Sequence, residues 1–413
     1  MVDRYLAREL TQLALAGNAL RPLPGGPVMF PAFVSGWLTS ELAAHLAAVT
    51  ALDTAAHVAQ HGVRGRANAL GVAVAAANLA AYAALIAGGR KADGVVEAAL
   101  VEALGPDYRE ALQRDPLPTD DTVPWTALAL PFRVADANVI VTRGVAYAEG
   151  GRRFQLNVYQ RRDRPTNAPV LLQAHGGAWV AGRKDTQGVP LMLHLAARGW
   201  VCVAPNYPLS PKARWPAHLV ALKRALAWVR QHGAEYGADP SFVAATGGSA
   251  GGHLAAMLAL TSDDPSLQPG FEDADTSVQA CVPHYGVYDF TAESGAAAAQ
   301  RRLAGLLEPW VMSRDARYPD DYRAASPLYR VGPQAPPFFV VHGAADSLVP
   351  VAEARLFAER LRAQSRHPVA YAEVLGAQHA FDIFPSVRSA GVVRGVARFL
   401  EWCHATRHEL APG

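Results

Sequence analysis

Three side chains in this sequence have the types and the order needed for nucleophilic chemistry: Ser249, Asp346 and His379. Ser249 stands in Gly247-Gly248-Ser249-Ala250-Gly251, after the apolar run Ser241–Thr246 and before the helix-like run His253–Leu260. This is G-x-S-x-G between a strand and a helix, the setting of a nucleophile elbow. A serine hydroxyl is a weak nucleophile until a base takes its proton and an acid orients that base. His379, in Gly376-Ala377-Gln378-His379-Ala380-Phe381-Asp382, is the candidate base, on the loop after the last predicted strand. Asp346 follows the apolar run Phe338–Val341 and is the candidate acid, with Asp289 in Tyr285-Gly286-Val287-Tyr288-Asp289 as its rival. His194, His218, His253 and His367 follow no strand and read as surface or helix residues.

The chemistry also needs N–H donors for a developing oxyanion. His175-Gly176-Gly177-Ala178-Trp179 follows the apolar run Val170–Ala174. Two glycines there let the backbone turn inward, so Gly176 and Gly177 are expected to supply two donors and Ala250 a third. Trp179, Tyr207 and Trp215 are candidates for lining the substrate pocket, with packing as the competing role.

These groups must be held by a sheet. Asn138–Tyr147 and Arg153–Gln160 read as an antiparallel hairpin, and strands are expected at 169–174, 200–206, 241–246, 278–284, 337–342 and 369–375. Helix-like segments fall near 186–198, 216–235, 250–262, 351–366 and 386–407. Apolar strands separated by helices predict a mostly parallel central sheet with helices on both faces. Each candidate group then sits at the C-terminal end of a strand, where open α/β sheets place their sites. The irregular interval near 290–335 is a candidate cap.

The motifs His-Gly-Gly-Ala-Trp, Gly-Gly-Ser-Ala-Gly-Gly, Asp-Ser-Leu-Val-Pro and the late His-Ala-Phe resemble those of the hormone-sensitive-lipase group of α/β-hydrolase esterases. Asn206-Tyr207-Pro208-Leu209-Ser210-Pro211 resembles that group's next motif, and the likeness covers about residues 140–410. It implies the α/β-hydrolase fold, a Ser249–Asp346–His379 triad, and a small-molecule ester as substrate, of short to medium acyl chain. Two departures bear on the substrate. Ala178-Trp179 replaces a third glycine, as in aryl formamidases, and Gly248 stands where Asp is common. An aryl formamide is therefore the alternative substrate, and a non-catalytic ligand-binding member of the fold the alternative class.

Composition limits the rest. The 413 residues are 51% hydrophobic and 18% charged, with a net charge of +2, and have room for one large α/β domain plus an extra segment. There is no long basic run, so nucleic-acid binding has no support. Cys202, Cys281 and Cys403 lack C-x-x-C spacing, so no disulfide framework or zinc site is expected, and no metal or organic cofactor is implied. No secretory signal peptide is evident, which points to a cytoplasmic or membrane-associated protein. Residues 1–125 differ in character from 126–413: they are helical and apolar, and resemble the leader of some bacterial carboxylesterases. Residues 67–89 are uncharged and long enough to cross a bilayer, yet built mostly from alanine. A buried helical hairpin, membrane association and a partner-binding surface all remain open for this run. The segment Asp115–Pro124 reads as a linker. Because the candidate catalytic groups all lie after residue 170, the N-terminal region is expected to govern location more than reaction.

Overall fold

A computed structural model describes residues 4–23, 29–113, 125–262, 264–293, 295 and 297–410. The expected linker Asp115–Pro124 lies outside the described residues. Five longer helices come first: α1 (Arg4–Leu20), α2 (Met29–Glu41), α3 (Ala43–His61), α4 (Arg66–Arg90) and α5 (Ala92–Leu104). Two short ones follow, α6 (Tyr108–Gln113) and α7 (Trp125–Ala129). The alternating part then begins with β1 (Val139–Ala146), β2 (Gln155–Arg161), β3 (Ala168–Ala174), α8 (Val189–Ala197), β4 (Val201–Pro205) and α9 (Ala217–His232). It continues through β5 (Ala238–Gly248), α10 (Ala250–Leu260) and β6 (Ala280–His284). The interval expected to be irregular holds α11 (Ala297–Arg302), a π-helical stretch at Leu303–Val311 and α12 (Asp320–Ala324). The chain closes with β7 (Phe338–Gly343), α13 (Val351–Gln364), β8 (Val369–Val374) and α14 (Val387–Ala405).

The eight strands form one sheet in the order β1-β2-β4-β3-β5-β6-β7-β8. β2 is antiparallel to β1 and to β4; the remaining pairs are parallel. Side chains alternate between two cores because successive residues of a strand point to opposite faces. Val170, Leu172, Val243 and Ala245 pack on one face with α9 and α10. Leu171, Phe242, Ala244 and Val282 pack on the other with α8 and α14. The apolar runs of the sequence are thus strands buried on both sides. The three cysteines are free and buried.

The N-terminal helices do not form a separate body. Ala92, Val96, Ala99 and Leu100 of α5 belong to the same core as Phe339, Ala370 and Phe399. A boundary near residue 125 would therefore cut through shared core. α1, α3 and α4 build a smaller cluster around Ala16, Ala19, Ala43, Tyr82 and Leu85. The inner face of α4 is committed to α1: Asn78 Nδ2 donates to Glu9 Oε2 at 2.8 Å, and Tyr82 OH donates to Gln12 Oε1 at 3.0 Å.

Candidate active site

Ser249 sits at the end of the central strand β5, with φ 60° and ψ −122°. A non-glycine residue held there costs on the order of 1–3 kcal/mol, which the surrounding bonds must offset. Its N–H donates to His284 O at 3.0 Å, pinning the turn to β6. The glycine frame is a packing requirement: a Cβ at Gly251 would collide with the Ala174 carbonyl at the end of β3. A Cβ at Gly248 would lie 2.6 Å from the Tyr285 hydroxyl. The position where aspartate is common is therefore glycine because Tyr285 fills the space.

His379 and Asp346 are brought together across the ends of β7 and β8. His379 Nδ1 lies 2.6 Å from Asp346 Oδ2, and both side chains are almost fully buried. Asp346 Oδ1 accepts from the N–H groups of Leu348 and Val349 at 2.9 and 2.8 Å. Burial alone would raise this carboxyl, but His379 and His342 outweigh it and hold the group well below the usual carboxylate range. The rival Asp289 is used locally, accepting from Thr291 N–H and Oγ1 at 2.8 and 2.6 Å. Gln378 clips the two loops together, its Oε1 accepting from Ser347 N–H and from His379 N–H at 2.8 and 2.9 Å.

Several expectations need correction. Gly176 N–H already donates to Gln187 Oε1 at 2.5 Å, so it is taken up by a side chain that the spacing could not reveal. Among the described residues, no acceptor takes the N–H of Gly177, Ala178 or Ala250. Trp179 and Tyr207 are core residues, 1% and 0% exposed, not pocket walls. Trp179 packs edge-on against His253 and Phe290. Tyr207 stacks on His175 and donates its hydroxyl to His175 O at 2.7 Å, which fixes the turn just before the two glycines. Trp215 also packs against His253 and Phe290.

Two features of the site carry no signal in the motifs. Behind the elbow, Asp382 accepts from the Tyr285 hydroxyl and pairs with His284 Nδ1 at 2.8 Å. Burial opposes the ionised form of Asp382, yet His284 and Tyr285 hold its carboxyl below the usual range. Tyr285 has φ 37°, and its ring lies 4.8 Å from that of His379, so it touches both the elbow and the candidate base. The second feature is Phe33 of α2, whose ring meets that of His379 edge-on at 5.9 Å. The expectation that the N-terminal region governs location more than reaction is thus incomplete, because that region supplies a neighbour of the candidate base.

A sheet of this order, with a strained serine on the turn after its central strand and a His–Asp pair at the ends of later strands, defines an α/β-hydrolase. Comparison with known proteins narrows the class. The BD-FAE family profile matches residues 156–361. The chain is 47% identical over 327 residues to the probable carboxylic ester hydrolase LipM of Mycobacterium tuberculosis, covering 78% of this chain and 75% of that protein. It is 45% identical over 325 residues to the esterase LipQ of the same organism, covering 75% of each. Among solved structures, the apo form of Thermogutta terrifontis esterase 2 is 26% identical with a TM-score of 0.51, covering 67% of this chain and 97% of that one. The chain belongs to the hormone-sensitive-lipase group of α/β-hydrolase carboxylesterases, and it is a carboxylic ester hydrolase.

Proposed function

We propose that Ser249 is the nucleophile, His379 the general base and Asp346 the acid that orients it, with hydrolysis proceeding through an acyl-enzyme. The observation that carries this reading is the 2.6 Å bond between His379 Nδ1 and Asp346 Oδ2. With Nδ1 committed to the carboxylate, Nε2 is the nitrogen left to take the Ser249 proton. Ser249 Oγ then attacks the ester carbonyl carbon, and the carbonyl oxygen becomes an oxyanion. Gly177 and Ala250, joined by Ala178 in place of Gly176, are the donors proposed for it; each such donor is worth about 2.7–4 kcal/mol in the transition state. As the tetrahedral intermediate collapses, the C–O bond to the alcohol breaks and His379 returns the proton to the departing oxygen. Water, deprotonated by His379, next attacks the acyl-enzyme and releases the carboxylic acid. The aryl-formamide alternative rested on Trp179, which packs in the core.

The acid is tested by a pair of variants assayed on p-nitrophenyl butanoate. Asp346→Asn should lower kcat by several orders of magnitude, the equivalent change in a serine protease costing about 10⁴. Asp289→Asn should cost far less. The opposite ranking would remove Asp346 from the triad.

For location, Arg66–Leu104 is long and apolar enough to cross a membrane by length and composition, with a third of its most apolar 18-residue window buried against the protein. The side-chain bonds from Asn78 and Tyr82 to α1 favour packing over spanning. Exposed apolar side chains crowd the N-terminal helices, Leu10, Leu20, Leu52 and Leu70 among them. That favours a peripheral contact with a lipid surface. Such protein should float with vesicles and resist a high-salt wash, since apolar burial is not screened. Full recovery in the unbound fraction would contradict a lipid contact.

A further inference from the structure

The triad sets no acyl-chain length, and the N-terminal helices hold an apolar groove beside it. α1, α2, α3 and α4 frame a groove of about 580 Å³. Its walls come mainly from Leu15, Phe30, Val34, Leu38, Leu42 and Leu46. A volume of this size is typical of small-molecule sites. None of its lining residues is charged, so it offers nothing to a phosphate or a carboxylate head. Three of the polar side chains that reach its wall, those of Gln12, Ser35 and Tyr82, are already engaged. Gln12 Oε1 accepts from Thr50 Oγ1 at 2.7 Å and from Tyr82 OH at 3.0 Å. Ser35 Oγ donates to Ala32 O at 3.2 Å and accepts from Asn18 Nδ2 at 3.1 Å. Apart from Thr39, what remains is hydrocarbon contact.

The groove is joined to the catalytic machinery through α2. Phe30, Val34, Leu38 and Leu42 follow one another at helical spacing along one flank. Phe33 and Trp37, on the neighbouring flank, meet His379 and Phe384. Phe30 connects the two flanks: its ring centroid is 5.9 Å from that of Phe33, which is 5.9 Å from that of His379. Two ring-to-ring steps therefore lead from the groove to the imidazole, and Phe30 is 64% exposed at the turning point. α2 is fixed in this position at its far end. Glu41 pairs with Arg388, and its Oε2 accepts from Ser386 Oγ at 2.6 Å, at the start of α14.

We propose that this groove binds the acyl chain of a long-chain ester, with Phe33 and Phe30 as the hydrocarbon path that leads the chain from the triad into it. The proposal rests on the assignment of His379 as the base. Substrates then extend beyond the short and medium acyl chains that the family resemblance implies.

The test fills the groove and reads a ratio. In the full-length protein, Leu38→Trp and Val34→Trp are assayed on p-nitrophenyl butanoate and p-nitrophenyl dodecanoate, both kept monomeric. The ratio of kcat/KM for dodecanoate over butanoate should fall at least tenfold in each variant, chiefly through KM. An unchanged ratio overturns the proposal. So does a loss confined to dodecyl acetate, which would put the alcohol chain in the groove. A loss seen only with ester presented in phosphatidylcholine vesicles would make the groove a surface contact, and likewise overturns it. A second measurement does not depend on turnover. Calorimetry of dodecanoate with Ser249→Ala should show one-to-one binding, weakened at least tenfold when Leu38→Trp is added. If Ser249→Ala keeps hydrolysing esters, the triad is misassigned; if it fails to bind dodecanoate, the groove is.

Discussion

Behind the candidate nucleophile, one buried carboxylate holds the geometry of its surroundings. Asp382 accepts from the Tyr285 hydroxyl and pairs with His284; Tyr285 in turn limits position 248 to glycine and packs on His379. A hydrogen bond to a charged group contributes about 1.5–3 kcal/mol, and a buried partner left unpaired adds to the loss. Tyr285→Phe keeps the ring against His379 and removes the hydroxyl, leaving Asp382 with His284 alone. It should lower stability by about 1.5–3 kcal/mol in urea unfolding. It should also lower kcat more than it changes KM, since the ring that positions the base is released rather than removed. A stability change below about 0.5 kcal/mol would show that the Asp382 bond carries no weight. At the same scale lies the limit of the spacing argument for the oxyanion loop. Gly176 and Gly177 look equivalent in sequence, and only the fold shows that Gln187, eleven residues on, takes the N–H of the first.

α2 is the element whose role the sequence concealed. Its apolar residues gave no sign that Phe33 would reach His379, because nothing local encodes a contact between residues 33 and 379. The strands were legible for a physical reason. Those of the parallel part are apolar runs with Gly, Pro or Asn close by, and burial on both faces of a parallel sheet demands such runs. The places of Ser249, Asp346 and His379 were legible because each follows closely on the end of a strand. Trp179 and Tyr207 were not, since an aromatic beside a glycine turn can face the core or the pocket at equal spacing. The lock on α2 is the pair of Glu41 with Arg388, both side chains being almost wholly buried. Removing one partner of a buried ion pair costs about 3–5 kcal/mol. Glu41→Gln should therefore destabilise the protein by about that amount and, by loosening α2, lower kcat/KM although no candidate catalytic residue is touched. Chemical unfolding and ester kinetics on the same preparation check it. Lost stability with unchanged kinetics would mean that the contact of Phe33 with His379 is incidental.

Across the whole molecule, the buried histidines determine how stability depends on pH. Burial lowers His175 and His218 to about 4 and His253 to about 3. Unfolded, each titrates near 6.5, so the unfolded chain binds protons in acid that the folded chain refuses. This stabilisation is complete above about pH 6.5 and is lost as pH falls from there toward 4, at up to about 1.4 kcal/mol per pH unit for each histidine. Asp346 and Asp382, whose carboxyls are depressed, stabilise the fold above their unfolded values and add a further loss only below about pH 4. The thermal midpoint should therefore drop steadily from about pH 6.5 to about pH 4.5; a level midpoint over that range would mean that these histidines are solvated. All of this scaffolding serves one strained residue on the turn after β5, and the most direct measurement is made there. Purified Ser249→Ala, with an unfolding midpoint like that of the wild type, is assayed on p-nitrophenyl butanoate and exposed to a fluorescent alkylphosphonate. It should keep less than about a hundredth of the wild-type kcat and take no covalent label, because loss of the nucleophile leaves only the oxyanion donors and substrate binding to act. Turnover above that level, or labelling equal to wild type, would place the nucleophile elsewhere.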